Sequence, residues 1–126
     1  MSIPFEVGVD IVSVSRMRLA IERQGQRFLD RVFTTDEQIY CEAKRNKYEN
    51  YAARFAAKEA LIKAKGGGPG RYAFSAIEVK RGQYGKPYLF LSPRARKQLA
   101  VPAQAEFRLT MAHERDFAIA TVMMAV

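Results

Sequence analysis

One cysteine, one histidine and no long apolar run set the first limits on this chain of 126 residues. Cys41 has no second cysteine to bond and no Cys or His companion at metal spacing. That excludes an internal disulfide and a zinc cluster, and it points to a buried helix residue in a reducing cytoplasm. No serine or cysteine stands in a nucleophile-elbow pattern, so covalent catalysis of the Ser-His-Asp or Cys-His kind has no support. The longest apolar stretch, Phe117 to Val126, is about half of what a membrane helix needs. The opening Met-Ser-Ile-Pro-Phe-Glu lacks a cationic region followed by an apolar core. A soluble, unexported protein with no membrane insertion is expected. Linkers, low-complexity tracts and repeats are also missing, and 48% hydrophobic with 27% charged residues suits one compact domain over residues 1–126. Acidic residues are the scarcer charge, 13 against 21 Lys+Arg, and the net +8 favours a polyanionic partner: nucleic acid, a phosphorylated cofactor or an acidic protein.

Val- and Ile-rich Phe5 to Val12 reads as a buried strand, ended where Ser13 or Ser15 can cap a helix over Ser15 to Gln24. Gly25 stops that helix, and Arg27 to Val32 adds a further turn or two. Thr35 with Gln38 resembles a capping box opening a helix to about Lys44, and a longer helix runs from about Tyr48 to Lys65. The run Gly66 to Gly70, with Pro69, ends it. Strands follow at Ala73 to Lys80 and Pro87 to Leu91, then a short helix from Ser92 with Pro93 in its first turn. A closing hairpin, Glu106 to Ala112 and Phe117 to Ala125, turns at residues 113–116. Because βα units do not alternate regularly, the class is α+β, with a largely antiparallel sheet packed against the long helix.

Two carboxylates stand out. On the long helix, Tyr48, Ala52, Phe55, Ala56, Glu59, Ala60, Ile62 and Lys63 share a face at 100° per residue, which sets Glu59 within an apolar stripe where it needs a partner. An i, i+4 pair with Lys63 supplies one reading, and an active site the other. Asp10 is the second anomaly, an acid inside a Val/Ile strand; it reads as a cap for the following helix or as a ligand. Two carboxylates suit Mg²⁺, which takes one or two of them and completes its octahedron with water and phosphate oxygens. The glycine run after Lys63 and Lys65 could bring backbone N–H groups to a phosphate, or simply terminate the helix, and it lacks the Lys-Ser/Thr of a Walker loop. His113 either reaches a phosphate, orients a base or occupies a turn.

Gly8-Val9-Asp10-Ile11-Val12, the segment Arg54 to Ala64, Gly85-Lys86-Pro87 and the His113 segment, in this order and spacing, resemble the holo-(acyl-carrier-protein) synthase family of phosphopantetheinyl transferases. The resemblance covers nearly the whole chain. It implies that Asp10 and Glu59 hold Mg²⁺, that Lys63 contacts the transferring phosphate, and that Arg54 and Lys58 lie near coenzyme A. It also implies a trimer of α+β subunits with active sites at the interfaces. The chain departs from the family at Ala112, where a serine commonly precedes the histidine; Thr110 is the nearest hydroxyl.

The implied reaction moves 4′-phosphopantetheine from coenzyme A to a serine of an apo acyl carrier protein, for fatty acid biosynthesis. Charge develops on phosphate oxygens and on the departing 3′,5′-ADP, which a cation and a lysine can stabilise. The serine proton could go to a metal-bound water or directly to Glu59, with His113 a third route. Candidate catalytic residues are thus Glu59, Lys63 and His113, and the coenzyme A set is Arg54, Lys58, Lys63, Gly66 and Gly67, with Arg45 and Lys47 for the 3′-phosphate. Arg16 and Arg23, seven residues apart on one helix face, suit an acidic carrier protein, and Arg18 lies off that line. A basic nucleic-acid-binding module is the competing reading, but no sheet signature or zinc-finger spacing accompanies the charge, so no nucleic acid partner is expected. A purely structural interaction protein is a third.

Overall fold

Strand β1, Phe5–Ser13, alternates a chemically unusual inner set with an apolar outer set, and this division organises the molecule. The computed structural model describes residues 4–67 and 71–126. After β1 come α1 (Val14–Gln24), α2 (Gln26–Val32), α3 (Thr35–Glu42) and the long α4 (Lys47–Ala64). Then follow β2 (Glu78–Arg81), β3 (Pro87–Phe90), α5 (Pro93–Gln98), β4 (Glu106–His113) and β5 (Phe117–Ala125). The order β1-β5-β4 forms one antiparallel sheet and β2-β3 a second, so the α+β expectation holds.

Helix α4 lies across the inner face of the three-stranded sheet, over Ala118, Ala120, Val122 and Met124 of β5 and Leu109 of β4, all buried. Close approach is possible because the facing residues are small. A Cβ on Gly8 would stand 2.0 Å from the Ala60 carbonyl oxygen and 2.6 Å from the Ala64 nitrogen, so any side chain there would drive β1 and α4 apart. The helix is buried nearly all round, from Asn50 through Ala64, with Phe55, Glu59 and Lys63 on its more open side. The expected apolar face is buried at Ala52, Ala56, Ala60 and Ile62, while Glu59 belongs with Phe55 and Lys63 to its accessible edge, because the sheet, α1 and α3 cover the remainder.

Cap chemistry sets the helix ends. Ser13 accepts the Arg16 N–H at 3.3 Å, as the sequence suggested. The capping box of α3 lies one residue earlier than expected, with Thr34 as the cap and Glu37, not Gln38, as its partner. Residues Arg71–Ala76 form 3₁₀ turns, so only residues 78–80 of the expected Ala73 to Lys80 strand pair with β3, and the pairing runs on to Arg81. At the end of α4, Gly66 (φ 94°) returns its N–H to Lys63 O and Gly67 (φ 83°) to Ile62 O, a Schellman closure that needs the left-handed backbone.

The outer face of the sheet is left open. Phe5, Val7, Val9 and Ile11 of β1 and Phe117, Ile119 and Met123 of β5 are all exposed, Ile11 to 62%. Contiguous apolar surface of this kind marks a contact site.

Candidate active site

Where β1, α1 and α4 meet, a groove of about 410 Å³ opens. Even-numbered residues of β1 face α4, which puts Asp10 beside Gly8 and Val12 on the inner side. Its strand neighbour across the sheet is Ala120, and that of Val12 is Ala118, so no bulky side chain crowds the carboxylate. Glu59 and Lys63, one turn apart on α4, project into the same groove, and Arg16 enters from the first turn of α1. Met17, Ala20, Phe28 and Phe55 form an apolar wall beside these charges.

Lys63 Nζ donates to Asp10 Oδ1 at 2.9 Å. The alternative i, i+4 pair between Glu59 and Lys63 is not formed. Asp10 is largely covered, with its side chain 16% exposed, and Lys63 is 55% exposed. Glu59 is half-buried and has no ion-pair partner among the described residues. Two oxygen donors thus converge with one ammonium already beside them. That donor set fits a hard divalent cation that keeps several positions for water and phosphate.

Other expected site residues sit elsewhere. Lys58 is fully buried, and its three protons go to Val32 O at 2.6 Å, Glu37 Oε1 at 2.7 Å and Phe74 O at 3.0 Å. Burial pushes its ammonium below the usual lysine range, opposed by the Glu37 charge. All three ammonium protons are thus used within the core, and Lys58 does not line the groove of Asp10, Glu59 and Lys63. Arg54, 1% exposed, stacks on Tyr40 at 4.2 Å in a separate cavity bordered by Asp36, Glu78 and Arg81. Its Nε has no hydrogen-bond partner among the described residues. The Gly66 and Gly67 N–H groups close α4 and are likewise taken, and residues 68–70 of the glycine run lie outside the described residues. Cys41, on α3, is fully buried, and burial raises its thiol to about 12.

His113 stands near the other end of α4, where its Nδ1 lies 2.8 Å from Glu49 Oε1. Glu49 and Glu59 are ten residues apart on that helix, roughly 15 Å along its axis. Arg45 and Lys47 line a basic cavity of about 250 Å³ near Glu49, together with Arg18 and Arg115. Within one chain, then, Asp10, Glu59 and Lys63 come together, while His113, Arg45 and Lys47 form a second group. Thr110 pairs with Thr121 and shares the sheet face of Ala112, opposite to that of His113. Sequence reasoning overlooked Glu37, which answers both Thr34 and Lys58, and Glu49, which carries no signal beyond being an acid in a first turn.

Among the described residues no helix is long and apolar enough to cross a membrane. The family profile of the 4′-phosphopantetheinyl transferase superfamily matches residues 6–122. The chain belongs to that superfamily and is an enzyme of that class. Its sequence is 42% identical over 122 residues, 95% of this chain and 91% of the relative, to the holo-[acyl-carrier-protein] synthase of Ruminiclostridium cellulolyticum. The solved holo-(acyl-carrier-protein) synthase from Bacillus anthracis str. Ames, in complex with CoA (3′,5′-ADP), is similar in fold, with TM-score 0.77 and 30% identity over 95% of each chain. The Helicobacter pylori enzyme in complex with coenzyme A gives TM-score 0.80 at 28% identity, covering 94% of this chain and 99% of that one.

Proposed function

We propose that this enzyme transfers 4′-phosphopantetheine from coenzyme A to a serine of an apo acyl carrier protein in the cytoplasm, releasing 3′,5′-ADP and serving fatty acid biosynthesis. The convergence of Asp10, Glu59 and Lys63 in one groove with an apolar wall carries this reading. Asp10 and Glu59 would hold Mg²⁺, whose charge would stabilise the phosphate oxygens as transfer proceeds. Lys63 moves from Asp10 to a phosphate oxygen; its exposed stem allows that shift. The carrier serine Oγ forms a bond to the β-phosphorus as the bond to the bridging oxygen breaks, and 3′,5′-ADP departs with that electron pair. A free oxygen of Glu59 accepts the serine proton.

The two separated groups of site residues support active sites between copies of the chain, with the metal group of one copy facing the His113, Arg45 and Lys47 group of another. The exposed apolar face of β1 and β5 supplies surface for such contacts, and three copies close it in a ring. The assay that tests the whole reading mixes the protein with Mg²⁺, coenzyme A and apo carrier protein. A phosphopantetheine adduct on the carrier by intact mass is expected, from a protein whose light-scattering mass is three chains. No adduct at any enzyme concentration overturns it.

Arg16 and Arg23 are exposed on α1 and make no ion pair among the described residues, whereas Arg18 is engaged by Glu22 at 3.3 Å. We assign carrier docking to Arg16 and Arg23. Reversing both to Glu should raise the carrier KM at least ten-fold and flatten its salt dependence, and Arg23→Glu alone, outside the groove, should raise it without changing the KM for coenzyme A. Unaltered carrier kinetics would eliminate this face.

A further inference from the structure

We infer that Glu49 is a positioning residue for His113, fixing the imidazole as the Nδ1–H tautomer so that Nε2 is the nitrogen presented to an anionic ligand. An ionised carboxylate only accepts hydrogen bonds, so the 2.8 Å contact between Glu49 Oε1 and His113 Nδ1 makes Nδ1 the donor. No described residue engages Nε2, and the side chain is 29% exposed. A proton taken up by the ring therefore goes to Nε2, which turns from acceptor to donor while Nδ1–H stays on Glu49.

The carboxylate is itself held in place. Asn46 Nδ2 donates to Glu49 Oε1 at 3.3 Å, and Asn50 Nδ2 donates to Asn46 Oδ1 at 3.0 Å and to Asn46 O at 3.0 Å. Asn50 is buried, so this amide chain anchors Glu49 to the first turn of α4, where the helix dipole favours a negative charge. Neither amide titrates, so the anchor itself does not change with pH. The charged groups around the pair are Arg45 and Lys47 before and at the start of α4, Arg18 of α1, and Arg115 and Asp116 of the β4–β5 turn. Lys47 already meets Glu42 at 3.2 Å, Arg18 meets Glu22 at 3.3 Å and Arg115 meets Asp116 at 3.7 Å, while Arg45 makes no ion pair among the described residues and is the cation left to meet a phosphate group. Without Glu49, the ring would be free to turn and to exchange its tautomer, since the partner of one nitrogen decides which nitrogen carries the proton.

The inference rests on the assignment of His113 to the transfer site. Because His113 is the only histidine, its ring nitrogens can be read without overlap in ¹⁵N-labelled protein. At alkaline pH the wild type should show Nδ1 protonated and Nε2 bare. Glu49→Ala should shift the ring toward Nε2–H, and Glu49→Gln, which keeps an acceptor oxygen, should restore the wild-type pattern. In transfer assays Glu49→Ala should lower kcat roughly ten-fold, with Glu49→Gln recovering most of it. A merely structural role at the start of α4 would change the melting temperature and leave the nitrogen pattern alone. A wild-type ring protonated at Nε2, or a pattern unmoved in Glu49→Ala, overturns the pairing. Should the pattern move while His113→Ala transfers normally, the pairing stands and His113 itself leaves the reaction. Normal kcat in Glu49→Ala alongside a defective His113→Ala overturns the positioning role.

Discussion

Replacing Lys58 by methionine is expected to destabilise the protein by about 3–5 kcal/mol, enough to unfold a marginal domain, through loss of a buried ion pair and not of a ligand contact. The change leaves the Glu37 carboxylate, 1% exposed, without its counterion. Glu37 would retain only the backbone N–H groups of Thr34 and Val79, and the Val32 and Phe74 carbonyls would each lose a donor. Urea denaturation followed by circular dichroism measures the loss. Adding Glu37→Gln should recover part of it, since the uncompensated charge goes too, and a double-mutant cycle gives the coupling. If the single variant is as stable as the parent and instead shows a raised KM for coenzyme A, Lys58 is a ligand contact and the core assignment fails.

Asp10→Asn and Glu59→Gln should each slow transfer by about 100- to 1000-fold while the fold persists, because both residues face the groove and neither substitution changes side-chain volume. Asn at position 10 also releases Lys63 from its 2.9 Å contact, so its effect combines a lost metal ligand with a displaced ammonium. Initial rates over a Mg²⁺ series distinguish the roles. A ligand variant should need more Mg²⁺, whereas near-normal turnover at low Mg²⁺ would show that the residue holds no metal.

The difference between Lys58 and Glu59, adjacent in sequence, explains what could and could not be read in advance. Periodicity at 100° per residue located α4 and the shared face of Glu59 and Lys63, because that geometry depends only on the helix itself. It marked one apolar face for burial but could not show how much of the rest would be covered. Burial depends on what packs against the helix, and here nearly every side is covered, which left the Glu59 and Lys63 edge open and put Lys58 inside. The same limit applied to the capping box: Thr-Thr-Asp-Glu-Gln offers two frames, and the counterion need of Lys58, 21 residues later, selects the one with Glu37 as partner.

Local chemistry alone determined the order and type of most elements, the Ser13 and Ser92 caps, the closing hairpin and the anomaly of Asp10 in an apolar strand. Those features follow from interactions within a few residues, which a chain carries with it before it folds. The Asp10–Lys63 contact spans 53 residues, the His113–Glu49 contact 64, and the Glu37–Val79 contact 42. Only tertiary structure decided these, because a side chain's partner at such separation is set by how sheet and helix pack. A Gly8 without a side chain brings β1 against α4 closely enough for Asp10 to meet Lys63 at all.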